Sequence, residues 1–252
     1  MKVHSLLSGS SGNAFRVFSD STDILIDAGA SYKRLCEANG SPLEPQACFI
    51  THDHGDHVGG AGVLGRKTGA KIYIPQASYE AREKIFKDCD IEYIQGGDRV
   101  HVGDFTVQAF SSRHDSHASV GYTVLENSTG VKCGYLTDSG SFNKVMKESL
   151  KGCDVYLLEA NYDLESLENF EDYDPIHKER IKSPFGHLDN DQTMDFIEEN
   201  LDLEKVSHIA FGHLSRNTNS PEMVMELAEK RFPKYKNIFT CAPHSEPLEI
   251  TK

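Results

Sequence analysis

The chain reads as a mixed α and β fold of the α+β class, with packed sheets and helices on their outside. Short apolar runs come first as strands and then alternate with helical stretches, which is the order expected of such layers. No linker, low-complexity stretch or internal repeat interrupts the 252 residues, enough for one core, so a single domain over 1–252 is expected. Polar residues also recur at strand ends, where loops at a sheet edge carry chemistry. In chain order, strands are expected at 4–7, 14–18 and 24–27. A helix over 31–39 follows, opened by the cap Ser31 and stopped by Gly40. The strand 47–51, helix 60–68, strand 71–74 and helix 77–86 come next. Strands at 105–110, 121–126 and 132–137 lead into a helix at 142–150 and a strand at 155–159. Helices at 174–182 and 191–200, a strand at 208–211, a helix at 221–231 and strands at 237–240 and 248–250 complete the series.

One segment dominates the rest. His52-Asp53-His54-Gly55-Asp56-His57 sets three histidines and two aspartates in six residues, directly after the apolar run Ala47-Cys48-Phe49-Ile50 and Thr51. Imidazole and carboxylate suit zinc, manganese and iron. On an extended strand end His52 and His54 point the same way, and Asp56 and His57 follow where the chain turns. The segment thus reads as ligands for two neighbouring metals. A solvated polar turn is the plain alternative, and three histidines beside an apolar strand speak against it. A structural zinc site would favour cysteine, and the cluster has none.

Three other polar residues take the strand-end position that His52 takes. His114 follows Val107-Gln108-Ala109-Phe110, Asp138 ends Cys133-Gly134-Tyr135-Leu136-Thr137, and His213 ends His208-Ile209-Ala210-Phe211-Gly212. His117 competes with His114 for the same role. Taken alone, Asp138 would be an ordinary turn residue before Ser139-Gly140.

The H-x-H-x-D-H pattern resembles the metallo-β-lactamase fold superfamily, and the ordered motifs along the chain resemble its YycJ/WalJ branch, bacterial enzymes regarded as metal-dependent exonucleases. Those motifs are Leu7-Ser8-Gly9-Ser10-Ser11-Gly12-Asn13, Ile24-Leu25-Ile26-Asp27-Ala28-Gly29, His114-Asp115 before Val120-Gly121-Tyr122, and Leu136-Thr137-Asp138-Ser139-Gly140. Leu158-Glu159-Ala160-Asn161, Gly186-His187-Leu188-Asp189-Asn190 and His213-Leu214-Ser215 before Asn217 and Asn219 complete the set. The resemblance implies a four-layer αββα sandwich with its site at one edge of the two sheets. It implies that His52, His54 and His114 hold one metal, Asp56, His57 and His213 a second, and that Asp138 bridges them. Asp27 would orient the cluster's turn or a ligand histidine from behind. His187 would contact phosphate or protonate the leaving group, and Asn13, Ser215 and Asn217 would offer donors to substrate. One departure stands out, because Glu159-Ala160-Asn161-Tyr162-Asp163 carries Tyr162 where the family often has histidine.

The implied activity is a binuclear phosphodiesterase, a DNA 5′ exonuclease in which a hydroxide shared by two ions (zinc or manganese, iron also fitting) attacks phosphorus in line. Asp56, Asp138 and His187 are its expected catalytic residues. Alternatives are a phosphodiesterase acting on RNA or a small cyclic phosphate, or an acyl hydrolase acting on a lactone, thioester or β-lactam. Asp56 and the lack of a metal-binding cysteine favour phosphodiester chemistry. The net charge of −13 opposes a general polyanion-binding surface. Basic residues at Arg66-Lys67, Arg113, Lys178 to Lys182 and Arg216 are the expected local counterweight. No run of 18 apolar residues exists and no signal-like stretch follows Met1, so no membrane span and a cytoplasmic setting are expected. Six scattered cysteines without a C-x-x-C pair read as reduced, small apolar residues.

Overall fold

A computed structural model describes residues 1–250, which leaves Thr251 and Lys252 of the expected 1–252 domain outside it. Among the described residues, two seven-stranded mixed sheets pack face to face. The first runs β14-β1-β2-β3-β4-β5-β6, built from β1 (Lys2–Leu7), β2 (Ala14–Phe18), β3 (Asp23–Ile26), β4 (Ala47–Phe49), β5 (Lys71–Ile74), β6 (Ile91–Tyr93) and β14 (Leu248–Ile250). The second runs β13-β12-β11-β10-β9-β8-β7. Its members are β7 (Arg99–Val102), β8 (Phe105–Ser111), β9 (Val120–Glu126), β10 (Lys132–Leu136), β11 (Val155–Glu159), β12 (His208–Gly212) and β13 (Phe239–Cys241).

Period-2 alternation with both faces apolar fixes the layers. Ile24, Ile26, Ala47 and Phe49 point inward to meet Val107, Tyr122, Tyr135, Val155 and Leu157 of the opposite sheet. Their alternates Leu25, Cys48, Ile72 and Ile74 face outward onto Leu35, Val58 and Leu64. Those three residues belong to helices α1 (Tyr32–Asn39), α2 (Gly55–Val58) and α3 (Ala61–Thr68). On the far side Leu136, Tyr156, Leu158, Ile209 and Phe211 pack against Met146, Phe196, Ile197 and Val224. These come from α5 (Lys144–Leu150), α8 (Asn190–Asn200) and α9 (Pro221–Arg231), with α4 (Gln76–Arg82), α6 (Leu164–Asn169) and α7 (Pro175–Lys182) completing the helices. The result is the αββα layering that the resemblance implied. The six cysteines are free, three of them buried as apolar packing. No helix of the described residues is long and apolar enough to cross a membrane.

The differences from expectation are local. The edge strands β6 and β7 escape the pattern because their side chains lie half or wholly in solvent, with no apolar face to read. β4 stops at Phe49, two residues before its expected end, so His52 and His54 stand in the turn beyond it rather than on a strand. The four-residue α2 and the six-residue α6 are too short to show a period.

What places the site is the polarity of the strands. β3, β4 and β5 are mutually parallel, as are β10, β11, β12 and β13, so their carboxyl ends gather at one edge of the sandwich. Asp27, Asp138 and His213 lie just past the ends of β3, β10 and β12. All three adopt left-handed backbone, with φ of 60°, 55° and 57°. This region is uncommon for non-glycine residues and costs of order 1–3 kcal/mol unless the surroundings impose it.

Backbone also crosses backbone closely here. A Cβ on Gly29 would sit 1.6 Å from the carbonyl oxygen of Asp56, whereas one on Gly55 meets nothing within 4 Å. Gly29→Ala is therefore expected to lower stability by about 3 kcal/mol or to prevent folding. Gly55→Ala should leave stability unchanged or raise it by up to about 1 kcal/mol. Thermal unfolding of the two variants checks the pair, and equal melting temperatures would contradict the packing described.

Candidate metal centre

The turn after β4 delivers four of the expected ligands. His52 is buried, His54 half-buried, and α2 begins at Gly55 and carries Asp56 and His57. The rings of His52 and His54 meet edge to face at 4.7 Å although neither lies on a strand. His114 arrives from the loop between β8 and β9, its ring 5.0 Å from that of His52 and 4.9 Å from that of His54. Nitrogen atoms of these three side chains lie within 4.8 Å of one another. A second set, Asp56, His57 and His213, converges in the same way. Asp138 stands between them. Its Oδ2 is 2.9 Å from His57 Nε2, and its Oδ1 is 3.5 Å from His114 Nε2 and 3.6 Å from His213 Nδ1.

The ligand set fits divalent cations on chemistry as well as on proximity. His52 Nε2, His213 Nε2 and Asp138 Oδ2 are buried and make no hydrogen bond, although Oδ2 lies close to His57. Orphaned polar atoms of this kind are rare in folded proteins. These three come one from each cluster and one from the carboxylate between them.

A further layer of residues braces the clustered imidazoles from behind, and metal-binding imidazoles commonly need such partners. His57 Nδ1 faces Asp27 Oδ2 at 2.7 Å. Asp27 Oδ1 accepts from Thr51 N–H at 2.8 Å, and Thr51 Oγ1 lies 3.0 Å from His52 Nδ1. Tyr135 O–H, reaching across from the other sheet, donates to Asp27 Oδ2 at 3.2 Å. Asp27 thus lies behind His57 and is held there by Thr51 and Tyr135.

Glu159, at the end of β11, is fully buried and was not expected among the site residues. Its Oε1 lies 2.7 Å from His187 Nδ1 and 3.1 Å from His213 Nδ1, and its Oε2 accepts from Ser139 N–H at 2.8 Å. The signal for it was present. Glu159 closes the run Val155-Tyr156-Leu157-Leu158 at the same strand-end position that drew attention to Asp138 and His213. The left-handed backbone of His213 is held from both sides, its N–H donating to Ser8 Oγ at 2.8 Å and its carbonyl accepting from Asn161 Nδ2 at 2.7 Å.

Charge balance runs through the whole cluster. Burial pushes the His57 and His213 imidazoles down, but the carboxylates around them win. Asp138 and Asp27 raise His57 well above its usual value, and Asp138, Asp56 and Glu159 raise His213 to about 10. Burial likewise pushes Asp138 up, and the His213 and His57 imidazoles more than reverse it, holding the carboxyl well below its ordinary range. His52 and His114 are lowered, chiefly by burial, which favours the neutral imidazole that a metal requires.

The remaining expected residues divide. His117 is not with the cluster. Its side chain is 65% exposed and its Nδ1 lies 2.9 Å from Asp53 Oδ2, so His114 is the histidine that converges. His187 lines a cleft of about 290 Å³ beside the centre, together with Ser215, Asn217, Arg180 and Arg216. Asn13 is buried, its Nδ2 lying 3.0 Å from His57 Nε2 and 3.3 Å from Asp56 Oδ2. Ser215 Oγ accepts from Thr218 O–H at 2.9 Å within its own turn, and Asn217 Nδ2 donates to Tyr173 O–H at 2.9 Å. Asn219 is spent on Ala160 O and Asn190. Tyr162 is buried against Leu167 and Ile181 as packing. Of the basic residues, Arg66 is committed to the carbonyls of Ile85 and Lys87, and Lys182 to Glu168 and Glu179. The cleft itself keeps Arg180, paired with Asp115 at 2.5 Å, and the exposed Arg216.

Comparison with known proteins agrees with this architecture. A family model described as Beta-lactamase superfamily domain matches residues 22–204. Exodeoxyribonuclease WalJ of Streptococcus pneumoniae is 34% identical over 242 residues, covering 90% of this chain and 88% of that protein. Exodeoxyribonuclease YycJ of Bacillus anthracis is 31% identical over 225 residues, covering 86% and 84%. The crystal structure of the metallo-beta-lactamase fold protein YhfI from Bacillus subtilis matches 98% of each chain with a TM-score of 0.74 at 17% identity, a likeness of fold. With its sheets, its converging strand ends and these relatives in agreement, the chain belongs to the β-lactamase superfamily, in the branch that holds the WalJ and YycJ proteins.

Proposed function

We propose that this protein is a metal-dependent hydrolase of phosphodiesters, a DNA exonuclease that works from the 5′ end with two divalent ions, zinc or manganese, iron also suiting the donors. The observation that carries the reading is the pair of buried ligand clusters, with unpartnered nitrogen and carboxylate atoms, opening beside a cleft that holds two arginines. The named activity of WalJ and YycJ supports DNA as substrate. His52, His54 and His114 would hold one ion, Asp56, His57 and His213 the other, and Asp138 both. Bound there, divalent ions would supply an activated water near neutral pH and positive charge toward the phosphate.

The chain's own residues supply the rest. Asp56 has 22% of its side chain exposed against 3% for Asp138, so it is the carboxylate within reach of water and accepts the proton lost on attack. Asp138 fixes the spacing of the clusters. His187 has its Nδ1 engaged by Glu159, which leaves Nε2 to protonate the departing oxygen. Glu159 acts through His187 and His213 and is a positioning residue. Arg180, Arg216 and the Asn217 amide meet the phosphates, and Asn13 steadies Asp56 and His57. A local basic cleft on a chain of net charge −13 implies a short, salt-sensitive footprint on DNA.

Metal-reconstituted protein incubated with DNA labelled at either end, RNA, bis-p-nitrophenyl phosphate and a β-lactam tests the assignment. Loss of label from the 5′ end of DNA is expected, and turnover of the carbonyl substrate alone would refute the reading. Asp138→Ala should lose at least one bound ion by elemental analysis together with nearly all activity. Glu159→Gln keeps the shape but weakens the hold on both histidines. About 10–100-fold loss of activity or metal affinity is expected, with an altered pH profile, and an unchanged profile would remove Glu159 from the mechanism.

Protons and metal compete for the same nitrogens. His213 is raised to about 10, so in metal-free protein its stabilising proton is fully present below about 6.5 and is lost as pH climbs toward 10. Chelated protein should therefore melt at lower temperature at pH 9 than at pH 7, and metal affinity should increase over the same interval. A melting temperature that stays flat or rises with pH after chelation would show that the imidazole proton does not balance the carboxylates.

A further inference from the structure

The cleft beside the metal centre contains an aromatic pair that the chemistry above does not use. Tyr173 and His177 lie face to face, ring centroids 4.4 Å apart and planes within 8°. Both line the same cleft as His187 and His213, and Arg180 and Arg216 share it. The pair is held rather than loose. Phe170 meets the Tyr173 ring edge-on at 4.7 Å, and the Asn217 amide donates to the Tyr173 hydroxyl at 2.9 Å. Asp174 caps α7 by accepting from the His177 N–H at 2.8 Å, which fixes the turn that presents the imidazole. Tyr173 is half-buried over Tyr162, Leu167 and Ile181, whereas His177 is exposed, so the stack has a supported face and a face open to solvent.

We propose that Tyr173 and His177 form a stacking platform for the nucleobase adjoining the scissile phosphate, so that the cleft binds one nucleotide at a time. This rests on the phosphodiesterase reading and names the substrate group that the site grips. Flat, rigidly held aromatic surface beside guanidinium groups is the recognition chemistry of single-stranded nucleic acid, in which bases stack and the backbone is neutralised. The volume of about 290 Å³ is at the lower end for small-molecule pockets and suits one unpaired nucleotide rather than a duplex. The terminal base therefore leaves its stack in the DNA for the stack on His177, and the scissile phosphate is carried in toward His187.

The test compares wild type, Tyr173→Ala, His177→Ala and His177→Phe on a normal oligonucleotide and on one whose terminal nucleotide is abasic. On the normal substrate each alanine variant should lose about 5–150-fold in kcat/KM, mainly through KM. On the abasic substrate wild type and alanine variants should be equal, and His177→Phe should keep most of the wild-type rate on both. A second arm titrates metal-loaded protein with 2-aminopurine deoxyribonucleoside monophosphate. Quenching of its fluorescence by wild type and loss of quenching in the alanine variants is expected. If wild type cleaves no DNA yet still quenches, the nuclease reading falls and the platform stands. If the alanine variants lose as much on abasic as on normal substrate, or if wild type does not quench, the platform is wrong.

Discussion

Carboxylates buried away from water must be matched by positive charge, and the site is arranged around that requirement. Asp27, Asp138 and Glu159 are 0–3% exposed, and each lies against at least one imidazole. An isolated buried carboxylate would cost several kcal/mol. Here the imidazoles supply the counter-charge when protonated, and divalent cations supply it in their stead. Both sheets feel the constraint. Asp27, at the end of β3 in the first sheet, is contacted by Thr51 and His57 beyond β4 and by Tyr135 of the second sheet, so the carboxylate ties the two layers at the edge where the clusters meet.

Backbone strain is concentrated in the same place. The left-handed residues Asp27, Asp138 and His213 follow parallel strands whose interiors are almost wholly buried. The three apolar cores hold those strands firmly enough to impose the uncommon turn, and each turn redirects a side chain that would otherwise continue along its strand. The cores thus provide rigidity, and the edge converts it into ligand geometry. His213 shows this most clearly, since its amide and carbonyl are both held by side chains, Ser8 and Asn161, from other elements.

Much of this was legible in the sequence, and the part that was not has a physical cause. The His52 to His57 run is local, and its composition survives even though the extended conformation assumed for it does not. The rings of His52 and His54 still meet, because the turn beyond Phe49 brings them together. Asp138 and His213 could be found by their position after apolar strands. Glu159 obeys the same rule, but its two imidazole partners lie 28 and 54 residues further on, separations that no local pattern reveals. The strands β6 and β7 were invisible because edge strands with solvated side chains lack the alternation that marks a core strand. From sequence Ser215 reads equally as a donor to substrate or as turn chemistry, and space commits it to its own turn, while Asn13, read as facing the cleft, is committed to Asp56 and His57.

The hydrogen bond from the His213 amide to Ser8 spans 205 positions of the chain. A polypeptide emerging from the ribosome contains His52, His54 and His114 long before His213 has been made. One half of the cluster is therefore available early, while the other must wait for β12 to slot in beside β11. Completion of the cluster is in this sense vectorial, since His213 is synthesised after every other member of it.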